Sequence, residues 1–345
     1  MITFDDVSFA YQGGIPDGSE PPALRHIHFH AERGECIVLC GKSGCGKTTM
    51  LRMVNGLVPN FYQGRLEGDI TVGNVHIKEA SLPQVAAVVG SVFQNPRTQF
   101  FHLDTTGEMA FNMENLNIPH DKMVERLKET AWKLDIQTLM DRDIFQLSGG
   151  EKQQIACGSV YASMPEVIVM DEPSSNLDME SIRKLQDLIR TMKDEGKTIL
   201  ISEHRLWYLE DIADRYVLLK DGQIENEFTS DEILALSLQE LEQSGLRAVR
   251  RKQLWNMGTR TIRQEKDMEK AAFLEIEGLR FSRQMRQVLD INRLAIPKGA
   301  IVAVIGENGA GKSTFALCLC GLLKHHGTVR INGERISNKK LPEQA

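Results

Sequence analysis

Residues 35–54 read ECIVLCGKSGCGKTTMLRMV, which we interpret as a buried strand, a glycine-rich turn and a helix. The turn, GKSGCGKTT (41–49), fits the pattern GxxxxGK[ST] of loops that bind nucleotide phosphates. Such loops require a strand before them and a helix after them, so the context disfavours a chance match to a flexible turn. The stretch therefore predicts an α/β protein that binds a nucleotide.

The residue types of this loop suit a nucleotide with its metal ion. The glycines let the backbone curl so that successive N–H groups face an anion, and the following helix adds its positive end. Lys47 is expected to reach the β- and γ-phosphates, and the Thr48 hydroxyl is expected to bind Mg²⁺. The predicted nucleotide ligands are Gly41, Lys42, Ser43, Gly44, Cys45, Gly46, Lys47, Thr48 and Thr49.

A second copy of the pattern lies near the other end of the sequence. AIVAVIGENGAGKSTFALCLCGLLK (300–324) aligns with residues 35–59 without a gap. At average glycine usage the pattern arises by chance in roughly 1 of 100 chains of this length, so two copies indicate an internal repeat. The candidate phosphate ligands of the second copy are Gly306, Gly309, Gly311, Lys312, Ser313 and Thr314.

Composition indicates a globular protein with room for two domains in 345 residues. The net charge of -6 argues against a generic electrostatic interaction with nucleic acid. No apolar run approaches the ~20 residues that span a bilayer, and the acidic start does not resemble a signal peptide. The six cysteines form no CxxC pair, so we expect reduced thiols, mostly in the core of a cytosolic protein.

Three more motifs follow the first loop: LSGGEKQQIA (147–156), VIVMDEP (167–173) and SSNLD (174–178). VIVM is an apolar strand that ends in two carboxylates. Asp171 at its tip is expected to hold Mg²⁺, usually through water, and Glu172 to polarise the attacking water. An acidic pair after a strand is also typical of a helix N-cap, an interpretation that the position after LSGG disfavours.

In this order, the motifs of residues 1–225 resemble those of the ATP-binding-cassette (ABC) ATPases. The resemblance implies hydrolysis of ATP with Mg²⁺. It also implies an α/β fold with a RecA-like parallel sheet, an antiparallel β subdomain and a helical signature subdomain. By position, Tyr11 would stack on adenine, Gln94 would link Mg²⁺ and water to the transporter, and His204 would contact the γ-phosphate. The remaining matched residues are Ser148, Gly149 and Gly150 of the signature and Asp178 of the D-loop, whereas Gln154 replaces the usual arginine.

In this family each nucleotide lies between the phosphate loop of one domain and the LSGG of another, so a second ABC domain is an implied partner. The motifs that follow Lys47, counted at the same spacing from Lys312, fall beyond Ala345, and Arg283 aligns with Tyr11. We therefore expect a complete ABC domain at 1–228, a charged linker at 229–271, and the N-terminal part of a truncated second ABC domain at 272–345.

The stretch VFQNPRTQFFHLDTTGEMAFNMENLNIP (92–119) resembles the ATPases of energy-coupling-factor importers, although Asn112 and Met113 replace the usual Gly-Pro. These importers take up vitamins, their precursors and transition-metal ions. The resemblance implies a membrane-embedded subunit whose coupling helices dock near Gln94, and a peripheral location at the cytoplasmic face of the plasma membrane. The alternatives are a fused two-cassette sugar importer and, less favoured, a soluble ABC protein of ribosomes or DNA.

Two further features have plain interpretations. HIHFH (26–30) places His26, His28 and His30 on one strand face, as zinc ligands sometimes are. The corresponding positions in the second copy are Ile291, Arg293 and Ala295, so a solvent-facing strand is favoured. The basic run RAVRRKQ (247–253) is interpreted as part of the solvated linker, with contact to anionic lipid or to a membrane subunit as the alternative.

Overall fold

The computed structural model describes residues 1–12, 22–250, 272–283 and 286–335. Within it the chain divides into a first unit, Met1–Met257, and a second unit, Gly258–Ala345. The described part of the first unit contains a parallel sheet, an antiparallel sheet and a group of helices. This arrangement confirms the predicted α/β fold.

The parallel sheet is built around a strand whose five residues are all apolar and buried, β3 (Cys36–Cys40). A strand that is apolar throughout is typical of a parallel sheet covered on both faces. The other strands are β6 (Val89–Val92), β7 (Val167–Asp171), β8 (Thr198–Ser202), β9 (Arg215–Lys220) and β10 (Gln223–Thr229). Their order is β10-β9-β3-β8-β7-β6, and every neighbouring pair is parallel except β10 with β9.

The antiparallel sheet consists of β1 (Ile2–Tyr11), β2 (Leu24–Ala31), β4 (Gly64–Val72) and β5 (Val75–His76), in the order β2-β1-β4-β5. Strand β2 alternates, with its apolar side chains buried and His26, His28 and His30 exposed. This exposure confirms the solvent-facing interpretation of HIHFH. Among the described residues there is no cluster that could hold a metal ion.

Both faces of the parallel sheet are covered by helices. Alternate residues of β3 therefore belong to two different cores, one on each face. Ile37 and Leu39 pack with the antiparallel sheet and α1, whereas Cys36, Val38 and Cys40 pack with residues of α6 and α7. The α-helices in the described part of the first unit are α1 (Lys47–Val54), α2 (Leu57–Asn60), α3 (Leu82–Ala86), α4 (Thr105–Asn115), α5 (His120–Lys133), α6 (Gly149–Ala162), α7 (Met179–Asp194), α8 (Ser230–Ala235) and α9 (Leu238–Gln243).

The six cysteines are free thiols, and all except Cys320 are buried, as expected. Burial raises the pKa of Cys36, Cys40 and Cys157 to about 12, so these thiols stay protonated at neutral pH. None of the helices that the structure describes is long and apolar enough to cross a bilayer.

The described part of the expected linker, residues 229–250, is folded into helices and packed, whereas the sequence predicted a solvated linker. Helices α8 and α9 begin with capping boxes at Thr229 and Ser237. Four apolar side chains of this segment, well separated along a charged sequence, are buried in the core of the first unit: Ile233, Leu241, Leu246 and Val249. The segment therefore packs as part of that unit. Of the basic run 247–253, only residues up to Arg250 are described, and both Arg247 and Arg250 are exposed.

The second unit contains the strands β11 (Ala272–Arg283), β12 (Arg286–Pro297), β13 (His326–Ile331) and β14 (Glu334–Arg335) and the helix α10 (Lys312–Leu319). The strands form an antiparallel sheet in the order β12-β11-β13-β14, which corresponds to the order β2-β1-β4-β5 of the first unit. Its small core includes Ile276, Leu279, Phe315 and Val329.

Residues 301–305 align with the predicted strand before the first loop, and that alignment predicts a strand for them too, but they form no strand in the structure. No described strand pairs with them, and Ile301, Val304 and Ile305 are exposed. The apolar pattern alone does not make a strand, because its backbone groups need a neighbouring strand to bond. The predicted strand is therefore wrong for the described structure.

Candidate nucleotide site

The first phosphate loop joins β3 to α1 and is held by glycines in the left-handed region. Gly41, Gly44 and Gly46 have φ of 133°, 82° and 108°. A Cβ on Gly41 would lie 2.2 Å from the carbonyl oxygen of Leu219, and one on Gly46 would lie 2.6 Å from the Leu24 side chain. Both the conformation and the close contacts therefore exclude other residues, as expected for a loop that curls around an anion.

Lys47 places its ammonium group inside this loop. The side chain is buried, and Nζ donates hydrogen bonds to the carbonyl oxygens of Gly41, at 2.9 Å, and Lys42, at 3.0 Å. These bonds use two of the three ammonium protons. Lys42, Ser43 and Gly44 form the exposed rim of the loop, whereas Cys45 is buried beneath it. A cation surrounded by backbone N–H groups at a helix N-terminus suits a polyphosphate.

Two oxygen groups meet at the start of α1. The Thr48 hydroxyl donates a hydrogen bond to Oδ1 of Asp171, at 3.1 Å, and Asp171 is the last residue of β7. Burial raises the pKa of Asp171, an effect that the hydrogen bonds from Thr48 and Ser202 oppose. A hydroxyl and a carboxylate are the hard oxygen ligands that Mg²⁺ prefers, so this pair fits the predicted metal.

The three predicted catalytic residues are brought together around the Glu172 carboxylate. Nε2 of Gln94 donates to Oε2 of Glu172, at 3.0 Å. Nε2 of His204 lies 3.2 Å from Oε1 of Glu172, within ion-pair distance, but it lacks the angle for a hydrogen bond. Glu172 itself has a φ of 43°, a conformation that is uncommon for a residue with a Cβ and often occurs at functional sites.

The environment of His204 favours the neutral imidazole. Burial lowers the pKa of His204, and the nearby positive charge of Lys47 lowers it further, against the opposing effect of Glu172. A neutral imidazole donates from one ring nitrogen and accepts at the other. At neutral pH the side chain is therefore suited to donate a hydrogen bond to an anionic oxygen.

The signature residues form the open N-terminus of α6. Ser148 caps the helix by accepting from the backbone N–H of Glu151, whose carboxylate accepts from Ser148 N in return. A Cβ on Gly149 would meet nothing within 4 Å, whereas one on Gly150 would lie 2.1 Å from the Ser181 hydroxyl. Within the described residues, no hydrogen bond or ion pair joins these three residues to the phosphate loop of their own unit.

Tyr11 and Asp178 also occupy defined positions. The Tyr11 hydroxyl lies 3.0 Å from the Thr49 hydroxyl and accepts from Arg52, so its ring lies beside the phosphate loop. Asp178 caps α7 by accepting from Ser181 N, at 2.9 Å. Their roles in adenine stacking and in the D-loop stay predictions.

Sequence reasoning missed two residues. The Arg52 guanidinium lies 4.1 Å from the centre of the Tyr62 ring and also bonds Tyr11; its position one turn after Thr48 on α1 was the available signal. Glu203 is buried next to His204 and accepts hydrogen bonds from two loops. An acidic residue between a buried strand and a predicted catalytic histidine was the signal for Glu203.

The second phosphate loop repeats the conformation of the first. Gly306, Gly309 and Gly311 have φ of 146°, 87° and 91°. Nζ of Lys312 donates to the carbonyl oxygens of Gly306, at 2.8 Å, and Glu307, at 2.7 Å. Ser313 is exposed and Thr314 is half-buried.

Comparison with known proteins finds the same family in both regions that carry a phosphate loop. A profile of the family described as ABC transporter matches residues 24–175 and 289–345. A protein of Treponema denticola named as an ABC transporter ATP-binding protein is 39% identical over 350 residues, covering 100% of this chain and 70% of the relative. One from Streptococcus mutans is 31% identical, covering 100% of this chain and 65% of the relative.

Solved structures show the same fold. That of cbiO1 from Clostridium perfringens, part of the ABC transporter complex cbiONQ, has a TM-score of 0.61 at 25% identity, covering 70% of this chain and 94% of cbiO1. The ATP-binding cassette MJ0796, in a dimer with ADP and phosphate, has a TM-score of 0.58 at 23% identity, covering 67% of this chain and 99% of MJ0796.

Proposed function

The chain belongs to the ABC transporter family of ATP-binding proteins, and on that premise we propose that its first unit is the hydrolysing cassette of an energy-coupling-factor importer. Proteins of this family hydrolyse ATP, and their cassettes dimerise and pair with membrane transporter subunits. The observation that carries the proposal is the meeting of Gln94 and His204 at the Glu172 carboxylate, beside the phosphate loop.

In the proposed reaction, Lys47 and the N–H groups of the loop bind the β- and γ-phosphates of ATP. Thr48 and Asp171 would hold Mg²⁺, which supplies charge neutralisation at the phosphate oxygens. Glu172 accepts a proton from the attacking water, which Gln94 orients. Neutral His204 donates a hydrogen bond to the γ-phosphate, where negative charge must be stabilised.

We propose that the second half of the site comes from another cassette. Among the described residues, the backbone N–H groups of Gly149 and Gly150 have no hydrogen-bond partner, and they lie with the positive end of α6 at an open surface. Such a helix N-terminus suits a phosphate that is already bound to another phosphate loop. The described part of 272–345 would be the beginning of a second cassette, which the matching sheet order and the second family match support.

The importer type rests on the stretch 92–119 and on an exposed apolar patch within and near it. Phe101, Leu103 and Phe145 are 75%, 70% and 75% exposed. Phe101 stacks on Phe111 of α4, at 4.9 Å between ring centres, and the backbone N–H of Ile144 donates to the Leu103 carbonyl oxygen. Exposed apolar residues that lie together are typical of an interaction site. We propose that coupling helices of a membrane subunit dock there, at the cytoplasmic face of the membrane, to drive uptake of a vitamin, a vitamin precursor or a metal ion.

The catalytic assignment is tested with Glu172→Gln. The variant should bind Mg-ATP with nearly unchanged affinity and lose steady-state turnover by about 10²-fold or more, the scale of a positioned base. Glu166→Gln is the matched control, because Glu166 is an exposed carboxylate whose ion pair with Arg33 lies away from the loop. Hydrolysis by Glu172→Gln at a rate near that of the parent would show that another group is the base.

The docking assignment is tested with Phe101→Asp, assayed for ATP binding, for ATP hydrolysis and for uptake in cells that carry the complete transporter. We expect uptake to fall while ATP affinity is kept. Trp132→Asp is the control, since Trp132 on α5 is 73% exposed but lies outside the patch. Normal uptake by Phe101→Asp would contradict the proposed docking surface.

A further inference from the structure

Glu203 is a buried carboxylate that directly precedes His204 and is only 2% exposed. Its Oε2 accepts from the backbone N–H of His204, at 2.7 Å, and from that of Arg205, at 3.4 Å. Its Oε1 accepts from the backbone N–H of Ser174, at 3.3 Å, and from the Tyr208 hydroxyl, at 3.1 Å. A carboxylate with several donors is stable in the interior, whereas the loss of its partners would be costly.

These bonds join two loops that leave neighbouring strands. Strand β8 leads into the loop 203–205, which carries His204, and β7 leads into the loop 174–178, which ends at Asp178. Arg205 adds a second connection, because its Nη1 donates to the carbonyl oxygens of Ser174 and Leu177, both at 3.3 Å. The backbone that sets the direction of His204 is therefore bonded to the loop 174–178.

We propose that Glu203 is a positioning residue that couples the placement of His204 to that of the loop 174–178. The inference rests on the proposed role of His204 at the γ-phosphate. A shift of this loop is then transmitted through the Glu203 carboxylate and Arg205 to the backbone of His204. The imidazole takes its working position only when the loop 174–178 is seated.

Glu203→Gln cuts this connection at one point. The amide keeps one acceptor oxygen, which can still bond the N–H groups of His204 and Arg205, and it places an NH₂ group at the Oε1 position. The Tyr208 hydroxyl can turn and accept from that NH₂ group. The N–H of Ser174 can only donate, so its bond is lost. The variant therefore removes the connection between the two loops that runs through Glu203, with little change in volume, and leaves the connection through Arg205.

The measurement is the steady-state kcat and the ATP affinity of the full chain, with Tyr208→Phe as the matched control. Glu203→Gln should lower kcat by about tenfold to hundredfold, since small misplacements of catalytic groups have effects of this size, while ATP affinity is kept. Tyr208→Phe removes a donor but leaves both loops bonded, so kcat should stay close to that of the parent. If Glu203→Gln fails to fold, Arg205→Met cuts the second connection and should lower kcat in the same way.

A background of His204→Ala separates positioning from plain structural support. If Glu203 acts through His204, Glu203→Gln should add almost nothing to the loss already caused by His204→Ala. The inference would be overturned if Glu203→Gln lowered kcat in the His204→Ala background by the same factor as in the parent. A kcat like that of the parent for Glu203→Gln or for Arg205→Met would overturn it too. A parent-like kcat for His204→Ala alone would instead overturn the proposed catalytic site, and this inference with it.

Discussion

Around Gly41 and around Gly306 the chain folds the same loop twice, in different surroundings. In both copies three glycines have positive φ, and a lysine ammonium group donates to two carbonyl oxygens of its own loop. The residues before the first loop form the buried strand β3, which pairs with β8 and β9. The residues before the second loop, 301–305, are exposed and pair with no described strand.

The difference between the two copies shows which part of a phosphate site is determined by neighbouring residues in the sequence and which part depends on the rest of the fold. The curl of the loop and the bonds of its lysine follow from about nine consecutive residues. The hydrolysis proposed above uses Gln94, Asp171 and His204, whose positions at the ends of β6, β7 and β8 depend on the parallel sheet. The conformation of the loop is therefore a local property, whereas the meeting of the proposed catalytic residues depends on the sheet.

The largest expected effect compares the two lysines. Lys47→Ala should lower the ATPase rate of this 345-residue chain by about 10²–10³-fold, the scale for loss of one group that stabilises transition-state charge. Lys312→Ala should leave the rate nearly unchanged, because no described residue of the second unit corresponds to Glu172. Both variants are assayed at equal protein concentration. Loss of most activity with Lys312→Ala would show that the second loop takes part in hydrolysis.

The next comparison concerns the segments before the loops. Leu39 and Val304 occupy matching positions, but Leu39 is 0% exposed and Val304 is 50% exposed. Leu39→Ala should lower the free energy of unfolding of the first unit by about 2–5 kcal/mol, because it leaves a cavity in a packed core. Val304→Ala should change stability by no more than about 0.5 kcal/mol, as surface substitutions do. Urea unfolding measures both, and equal effects would show that residues 301–305 are packed in solution.

The fold could be predicted, and the residues of the candidate site could be located, because short motifs carry both. Lys47, Asp171 and Glu172 each lie within a pattern of fewer than about ten residues whose strand and helix context is visible in the sequence. The roles of Ile233 and Leu241 could not be predicted in this way, because isolated apolar residues in a charged segment match no periodic pattern. For Glu203 only the position beside His204 is visible in the sequence, because its donor Ser174 lies 29 residues earlier in the chain.

A smaller effect, on the affinity for ATP, is expected when the first glycine of each phosphate loop is replaced. A Cβ on Gly41 would clash with the Leu219 carbonyl oxygen at 2.2 Å, whereas one on Gly306 would meet only Ala310, at 3.5 Å. Gly41→Ala should therefore weaken ATP binding by about tenfold, equivalent to ~1.4 kcal/mol. Gly306→Ala shares the strain of a positive φ but should leave that affinity unchanged. Equilibrium binding of a fluorescent ATP analogue measures both, and similar losses would contradict the comparison.

The smallest effect is a change in the protonation of His204. Burial and the charge of Lys47 lower the pKa of His204 below its ordinary value of 6.5, Arg247 acts in the same direction, and Glu172 and Glu203 oppose them. The folded state therefore binds fewer protons than the unfolded state in this range. From this group alone, the free energy of unfolding should fall as the pH drops from 6.5 through the folded pKa.

The charge of Lys47 is one of the two main causes of the lowered pKa of His204. Lys47→Ala should therefore raise this pKa towards 6.5, whereas Lys312→Ala should leave it unchanged. The measurement is the NMR titration of the imidazole C–H signal, assigned by its absence in His204→Gln. In the parent chain the midpoint should lie below 6.5, so that the neutral imidazole needed at the γ-phosphate persists into mildly acidic conditions. A midpoint that Lys47→Ala does not move would show that the loop lysine exerts no electrostatic control over His204, and that the two lysines differ only in their contact with phosphate.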